Sequence, residues 1–315
     1  MQKNKIIILS GPTASGKTFF SLKIAKLINA EIVNFDSLLF YKEISIGTAK
    51  PNELELKEVK HHMIGNHSIF HPINAADYIK EAIAIINQIH QNDKAVVLTG
   101  GSGFYLQALL NGMYDSETTS KEITDRSNTL YQEKGITPFL DELKTVDLES
   151  FEKYHMNDHY RIRRSIEHFW MTGDKFSTSR SQLENKSKMS HIKKYQWNTI
   201  HLHLDIPKDQ HFMVIQKRTD EMFKNGLLDE VTNLIENNGA TGSEKPLNSI
   251  GYKETIDFIQ GRIETIEHCI ELINIHTRQL AKAQRTWFKK IDKLSFNSLE
   301  ESDKILETCL NFIKK

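Results

Sequence analysis

Eight consecutive residues limit what this chain can fold into: Gly11-Pro12-Thr13-Ala14-Ser15-Gly16-Lys17-Thr18, a match to G-x-x-x-x-G-K-[ST]. The apolar run KIIILS precedes them and the amphipathic TFFSLKIAKLI follows, so the segment reads as strand, glycine-rich loop and helix. Successive main-chain N–H groups of such a loop turn inward around an anion, and the helix start adds the positive end of its dipole. Lys17 then reaches a phosphate as a point charge, and the Thr18 hydroxyl is suited to Mg²⁺. The alternative, a chance glycine-rich turn, gives the flanking strand and helix no reason to be there.

A parallel sheet follows from what comes next. Further apolar runs end at Asp36 (AEIVNF) and at Gly100-Gly101 (KAVVLT), with the helical pattern DYIKEAIAIINQIHQN leading into the latter; TIHLHLDIP and KLSFN read as later strands. Strands that alternate with helices make a sheet with covered faces, an α/β core of the P-loop NTPase-like type. From about residue 115 to 198 the strand signal lapses, and KEITDRSNTLYQEKG and DHYRIRRSIEHFWMTG have helical periodicity. The expected organisation is a catalytic core at 1–114 and 199–315 with an all-helical insertion at 115–198. The 41 basic and 41 acidic residues cancel, which alone argues against a polyanionic partner, yet the charge is segregated. Residues 115–158 carry five Lys or Arg against eleven Asp or Glu, whereas residues 159–198 carry nine against three.

No apolar run approaches the ~20 residues that cross a bilayer. The IIIL stretch near the start is short and lacks a small-residue cleavage site, so it does not read as a secretory signal and a cytoplasmic protein is expected. Cys269 and Cys309 are too few for a disulfide framework or a four-ligand zinc site. His61-His62 is the only adjacent histidine pair, and neighbouring side chains in a strand or helix diverge, which argues against a shared metal.

The loop specifies a phosphate but not a reaction. A kinase or NTP hydrolase usually carries an Asp at the end of another core strand to help hold the metal. Here KAVVLT runs into Gly100-Gly101-Ser102-Gly103, which lets main chain and the Ser102 hydroxyl approach a ligand but offers no carboxylate. The carboxylate is Asp36, after AEIVNF. Strand ends in an open α/β sheet gather around one crevice, so Asp36, Ser102 and the loop are expected to face one site, unless Asp36 serves only as a turn or helix-cap residue. On these residues alone a small-molecule kinase or RNA-associated ATPase stays open.

Several segments, in order along nearly the whole chain, resemble the tRNA dimethylallyltransferase (tRNA isopentenyltransferase) family. They are GPTASGKT, DSLLFYKEISIGTAKP from Asp36 to Pro51, NAADY, TGGSGFYLQALLNG, the run Arg218 to Met222 followed by GLLDEV, SIGYKE, and TRQLAKAQRTWFKK. The resemblance implies a phosphate-binding core with a helical insertion, Mg²⁺, and dimethylallyl diphosphate as donor. The implied acceptor is N6 of the adenosine immediately 3′ of the anticodon, in tRNAs reading codons that begin with U. It implies Asp36 as general base with Ser102 and Lys17 as catalytic partners, Gly11 to Thr18 and Arg218 as diphosphate holders, and Thr18 as metal ligand. The implied tRNA contacts are Asp36, Ser37, Leu38, Leu39 and Ser102, then Thr124, then Tyr160, Arg161, Ile162, Arg163 and Arg164 in the insertion. Further along they are Gly251, Tyr252 and Lys253, and finally Arg278, Lys282, Gln284, Arg285, Trp287 and Lys289. A monomer acting on a tRNA anticodon stem-loop is expected.

The chain departs from the family pattern in places. Leu39 stands where many members carry Gln, which removes a polar contact; Ser102 replaces Thr and keeps the hydroxyl; Thr124 falls where many members have a basic residue. No zinc finger follows as in eukaryotic members, so a bacterial-type enzyme is expected. Arg278, Lys282, Arg285 and Lys289 fall at i, i+4, i+7 and i+11, a single basic stripe on a helix with no acidic residue nearby in sequence. By itself such a stripe is as readily a solvated face, and the resemblance favours RNA. Trp287 and Phe288 are open to base stacking or to core packing. A relative that prenylates free adenine nucleotides would need neither the insertion nor the stripe.

Overall fold

In the computed structural model, which describes residues 4–112, 119–186 and 190–315, the apolar runs pair into one six-stranded parallel sheet. The strands are β1 (Lys5–Ser10), β2 (Glu31–Asn34), β3 (His61–His62), β4 (Val96–Gly100), β5 (Asn198–Asp205) and β6 (Leu294–Asn297). Their order is β3-β2-β4-β1-β5-β6. The α/β fold expected from the sequence is the fold observed. β1 is central because it is apolar on both faces: Ile6, Ile7, Ile8 and Leu9 are all buried, as a parallel strand covered by helices on both sides requires. Its partners are β4, with Ser10 level with Gly100, and β5, with Ser10 level with His203.

Contacts divide the chain into a sheet unit, Met1–Asn111 with His191–Lys315, and a helical unit, Gly112–Ser190. The expected boundary between residues 114 and 115 lies outside the described residues. Residues 191–198, assigned to the insertion from sequence, group with the sheet: His191 Nδ1 donates to the Leu109 carbonyl at 2.8 Å, and the Asn198 N–H donates to the Asn4 carbonyl.

The helices in chain order are α1 (Lys17–Ile28), α2 (Glu53–Glu58), α3 (Ala75–Gln91), α4 (Gly103–Asn111), α5 (Lys121–Lys134), α6 (Thr137–Val146), α7 (Leu148–Lys153), α8 (His159–Thr172), α9 (Phe176–Lys186), α10 (His191–Lys194), α11 (Lys208–Lys224), α12 (Leu227–Glu236), α13 (Tyr252–Ile259), α14 (Ile266–Phe288) and α15 (Ser302–Lys314). On one side of the sheet, Phe20, Ile24 and Ile28 of α1 and Ile305 and Cys309 of α15 share a core with Ile7, Leu9, Val97, Leu202 and Leu204. From β1 the chain runs first to β2 and β4 on one side and later to β5 and β6 on the other. This reversal leaves a crevice at the C-terminal end of β1, where the glycine-rich loop lies.

β3 was not legible as a strand. It is a two-residue edge pairing beside Ile32 and Val33, and its histidines go to different partners: His61 Nδ1 donates to the Val59 carbonyl, and His62 Nε2 lies 2.7 Å from Glu31 Oε2.

The helical unit packs α5 to α8 around Phe139, Leu143, Ile162 and Ile166. Asp147, buried, caps α7 and ties it to α9: its carboxylate accepts from Ser150 Oγ at 2.7 Å and from Ser177 N and Oγ at 2.9 and 2.7 Å. Burial alone would raise the pKa of this carboxyl, but the Ser177 and Ser150 bonds outweigh that and hold it below the ordinary value.

Candidate active site

The loop after β1 bends through two left-handed residues, Ala14 at φ 61° and Gly16 at φ 83°. Gly16 tolerates this conformation because it has no Cβ. Gly11 is confined differently, since a Cβ there would strike the Leu204 carbonyl oxygen and Ser15 Oγ. Thr13 to Thr18 line a cavity of about 800 Å³ together with Asp36, Thr48 and Arg218. The first N–H groups of α1 have no intrahelical acceptors and carry the positive end of the helix dipole, so this wall favours an anion. Gly11 and Pro12 do not line the cavity; their carbonyls accept from Lys17 Nζ at 3.0 and 2.7 Å. Burial pushes the Lys17 ammonium down to about 8, with Asp36 opposing the shift and Arg218 adding to it. Arg218 is likewise lowered by burial and supported by Asp36, and its guanidinium donates to the Thr48 carbonyl at 3.4 Å.

Asp36 follows β2, and its backbone is held by Asn34, a residue sequence reasoning missed. Asn34 Oδ1 accepts from the Asp36 N–H at 2.8 Å, while Asn34 Nδ2 donates to the Asp36 and Met63 carbonyls at 3.0 Å each. The signal was present as Asn-x-Asp at a strand end, a pairing that favours local side-chain-to-backbone turns. Asp36 Oδ1 accepts from the Leu38 N–H at 3.2 Å, so the carboxylate does help fold its own turn. Its other oxygen is the one nearest Gly101, where an added Cβ would stand 3.2 Å away.

The IGTAKP segment forms the facing wall, and two residues of the sheet unit hold its main chain. Glu230 of α12 accepts from the N–H groups of Ser45 and Ile46 at 3.0 Å each. The Tyr252 hydroxyl accepts from the Gly47 N–H at 3.0 Å and donates to Glu230 Oε1 at 2.6 Å. Burial and the Glu230 carboxylate push this phenol far above its ordinary pKa, so it remains a donor. Gly47 has to be glycine because a Cβ would stand 2.6 Å from the Tyr252 ring. Tyr252, expected to touch tRNA, is fully buried in the sheet unit: its side chain supports the Gly47 turn instead.

A second cavity of about 390 Å³ shares Thr13, Asp36, Thr48 and Arg218 with the first, so the two meet at those residues. Its remaining walls combine Ser102, Thr277 and Gln284 with the apolar side chains of Ile215, Met222, Ile250, Ile273 and Leu280. Ser37, Leu38 and Gly251 also line it, whereas Leu39 lines the first cavity. Gln284 joins two loops, accepting from the Thr13 N–H at 2.7 Å and donating to the Gly101 carbonyl at 3.0 Å. Trp287 packs on Gly103, where any Cβ would collide with the indole, and meets Phe288 edge-on at 5.2 Å. Phe288 is buried, so of the two readings for this pair, core packing is the one observed for Phe288.

The basic stripe is not uniform. Lys282 and Lys289 are exposed, as is Lys253 on α13, and the Arg278 guanidinium lies over the Phe212 ring at 4.4 Å. Arg285 turns inward and pairs with Asp205 at the end of β5, a carboxylate distant in sequence that the local pattern does not reveal. In the helical unit, Tyr160 is three-quarters exposed (75%), Arg161 pairs with Asp158, and Arg164 lies 3.9 Å from Glu167. Arg163 donates to Ser127 and Asn128 and stacks on Tyr131 at 4.6 Å. Ile162 is 1% exposed and belongs to that unit's core, which corrects its assignment as an RNA contact. The Thr124 hydroxyl donates to the Ser120 carbonyl. Among the described residues no three His, Cys, Asp or Glu side chains gather around a metal position, and no helix is long and apolar enough to cross a membrane.

The comparisons with known proteins agree with one another. Residues 39–291 match the family model described as IPP transferase. The chain is 35% identical over 300 residues to tRNA dimethylallyltransferase 2 of Geotalea uraniireducens, covering 95% of this chain and 94% of that one. It is 34% identical over 311 residues to the tRNA dimethylallyltransferase of Clostridioides difficile, at 98% and 96% coverage. The crystal structure of a tRNA isopentenylpyrophosphate transferase from Staphylococcus epidermidis superposes with a TM-score of 0.68 at 29% identity over 99% of each chain. A eukaryotic dimethylallyltransferase acting on tRNA superposes at 0.82 with 26% identity, over 99% of this chain and 80% of that one. With a model match over most of its length and relatives above 30% identity along nearly all of it, this chain belongs to the IPP transferase family, the tRNA dimethylallyltransferases.

Proposed function

We propose that this protein transfers a dimethylallyl group from dimethylallyl diphosphate to N6 of the tRNA adenosine immediately 3′ of the anticodon. The observation that carries the reading is the joining of two unlike cavities. One is walled by a phosphate loop, the other sets the apolar side chains of Ile215, Met222, Ile250, Ile273 and Leu280 among the polar groups of Ser102, Asn248, Thr277 and Gln284, and Asp36 and Arg218 line both. A diphosphate suits the first, and a prenyl chain beside an adenine suits the second.

The exocyclic amine of adenine is a weak nucleophile, because its lone pair is delocalised into the ring. As N6 bonds to C1 of the dimethylallyl group, the C1–O bond breaks and its electron pair leaves with the diphosphate. The amine proton passes to the Asp36 carboxylate. Negative charge that builds on the bridging oxygen is met by Lys17, Arg218 and the N–H groups at the start of α1, and removal of one such donor costs about 2.7–4 kcal/mol of transition-state stabilisation. Ser102 lines the acceptor cavity and offers a hydroxyl to the base.

Mg²⁺ fits the donor set. Thr18 brings a hard hydroxyl oxygen to the loop cavity, the ligand type that such a loop offers Mg²⁺ alongside the oxygens of a bound phosphate. When bound it would neutralise diphosphate charge; Thr18 would hold it, while Asp36 keeps its proton-accepting role. An adenosine stacked in an anticodon loop is out of reach and has to be extruded before attack. Tyr160 and Arg161 on α8, and separately the exposed Lys282 and Lys289, would carry tRNA contacts, in keeping with RNA recognition by stacking and backbone charge.

The test is to incubate the protein with Mg²⁺, labelled dimethylallyl diphosphate and unmodified tRNA bearing adenosine on both sides of the target, then map the label. Label confined to the adenosine 3′ of the anticodon supports the reading. Label elsewhere, or release of ADP from ATP without transfer, overturns it.

A further inference from the structure

Thr13 is the residue of the phosphate loop that borders both cavities, and its two main-chain groups are held by side chains from other elements. Its N–H donates to Gln284 of α14, and its carbonyl accepts from His211 Nε2 of α11 at 2.8 Å. His211 is 2% exposed. Its other ring nitrogen, Nδ1, lies 2.7 Å from an Arg285 amino group. A guanidinium donates and never accepts, so Nδ1 has to be the acceptor; the imidazole is neutral, with its one proton on Nε2, aimed at Thr13. Arg285 is fixed in turn. Its Nε donates to both Asp205 oxygens at 2.8 and 3.1 Å, and its amino group donates to the Ile206 carbonyl at 3.1 Å. Only 18% of its side chain is exposed.

We infer that Arg285 and His211 are positioning residues for the diphosphate site: a relay from Asp205 through Arg285 and His211 sets the main chain at Thr13, and Arg285 is thereby withdrawn from RNA contact. The inference rests on the proposed function only in taking the loop to hold a diphosphate. The physical reason is register. A loop that binds an anion through several N–H groups loses affinity when one of its peptides is free to tilt, because the donors no longer converge. Removing His211 takes from the partly buried Thr13 carbonyl its donor and from the Arg285 amino group one of its acceptors, and the Thr13 peptide is then free to move.

The experiment uses the full chain with three readouts: calorimetric binding of inorganic pyrophosphate with Mg²⁺, steady-state kinetics with dimethylallyl diphosphate, and tRNA affinity across a salt series. His211→Leu and Arg285→Gln are expected to weaken pyrophosphate binding and raise KM for the donor by roughly tenfold or more, with kcat changed far less. The double variant should be little worse than either single one, since the two act as a unit. His211→Gln, whose amide can donate to Thr13 and accept from Arg285, should recover most of the affinity. tRNA affinity and its salt slope should stay as in the parent. Arg285→Gln that binds pyrophosphate normally while its tRNA salt slope drops by about 1 overturns the inference and restores Arg285 to the RNA surface. Failure of the unaltered protein to bind pyrophosphate overturns the diphosphate reading and this inference with it. Should the variants fold poorly, nitrogen-15 NMR of the unaltered protein at neutral pH decides: the His211 ring carrying its proton on Nε2 supports the relay, and an Nδ1-protonated or doubly protonated ring overturns it.

Discussion

Lys17 carries its charge close to the pH at which the enzyme would work. Burial pushes its ammonium down to about 8, and the neutral amine cannot pair with a diphosphate. Because kcat/KM reports the free enzyme, kcat/KM for dimethylallyl diphosphate should fall as pH rises through about 8, and Lys17→Arg should remove that limb. A flat profile to pH 10 in the parent would contradict this. Tyr252 acts at one remove, holding the Gly47 N–H and the Glu230 carboxylate. Tyr252→Phe strands buried polar groups and should cost about 1–3 kcal/mol in urea unfolding, and an unchanged midpoint would show the bonds to be dispensable. At this scale the sequence was readable wherever a residue sits at the end of an apolar run or inside a local motif. Lys17, Thr18 and Asp36, which line one cavity, could be singled out that way. Asn34, His211 and the true surroundings of Arg285 and Tyr252 were not, because their roles come from partners that only the fold brings near.

β1 and β5 carry a polar cluster under the loop, where the Ser10 hydroxyl lies 2.7 Å from His201 Nε2 and 2.9 Å from His203 Nδ1. Burial holds both imidazoles down to about 4, with His203 adding to the effect on His201 and Lys293 to that on each. These folded values lie below the unfolded one of about 6.5, so the unfolded chain binds more protons in that interval. The stability they lend is present above about pH 6.5 and is lost as pH falls toward 4, by at most about 3 kcal/mol for each ring. Urea midpoints measured from pH 7.5 to 4.5 should decline over this window, and the decline should shrink in His201→Gln with His203→Gln. Equal slopes in parent and variant would contradict the assignment. The same strands illustrate what periodicity conveys. β1, β2, β4, β5 and β6 announce themselves through apolar or alternating runs, because each packs against helices. β3 is two histidines at a sheet edge, made a strand only by its neighbour β2. On α14 the spacing of the basic residues was legible, but the inward turn of Arg285 depends on Asp205.

Across the whole molecule the charges sum to zero, so any affinity for tRNA has to come from local surfaces rather than a general field. Lys282 on α14 and Lys289 at its C-terminal cap remain exposed, and reversing both to Glu should weaken tRNA binding while reducing the magnitude of its log–log salt slope by about 0.7–0.9 for each phosphate no longer neutralised. An unchanged slope would place the RNA elsewhere. The central claim is that Asp36 takes the proton of the adenine amine beside a diphosphate held by the loop after β1. Single-turnover transfer by Asp36→Asn, with both substrates saturating and their binding measured in parallel, tests this most directly. The account predicts substrate affinities close to those of the parent and a rate lower by roughly 10²–10⁴-fold, the usual contribution of a positioned general base. Transfer at near the parental rate would contradict it.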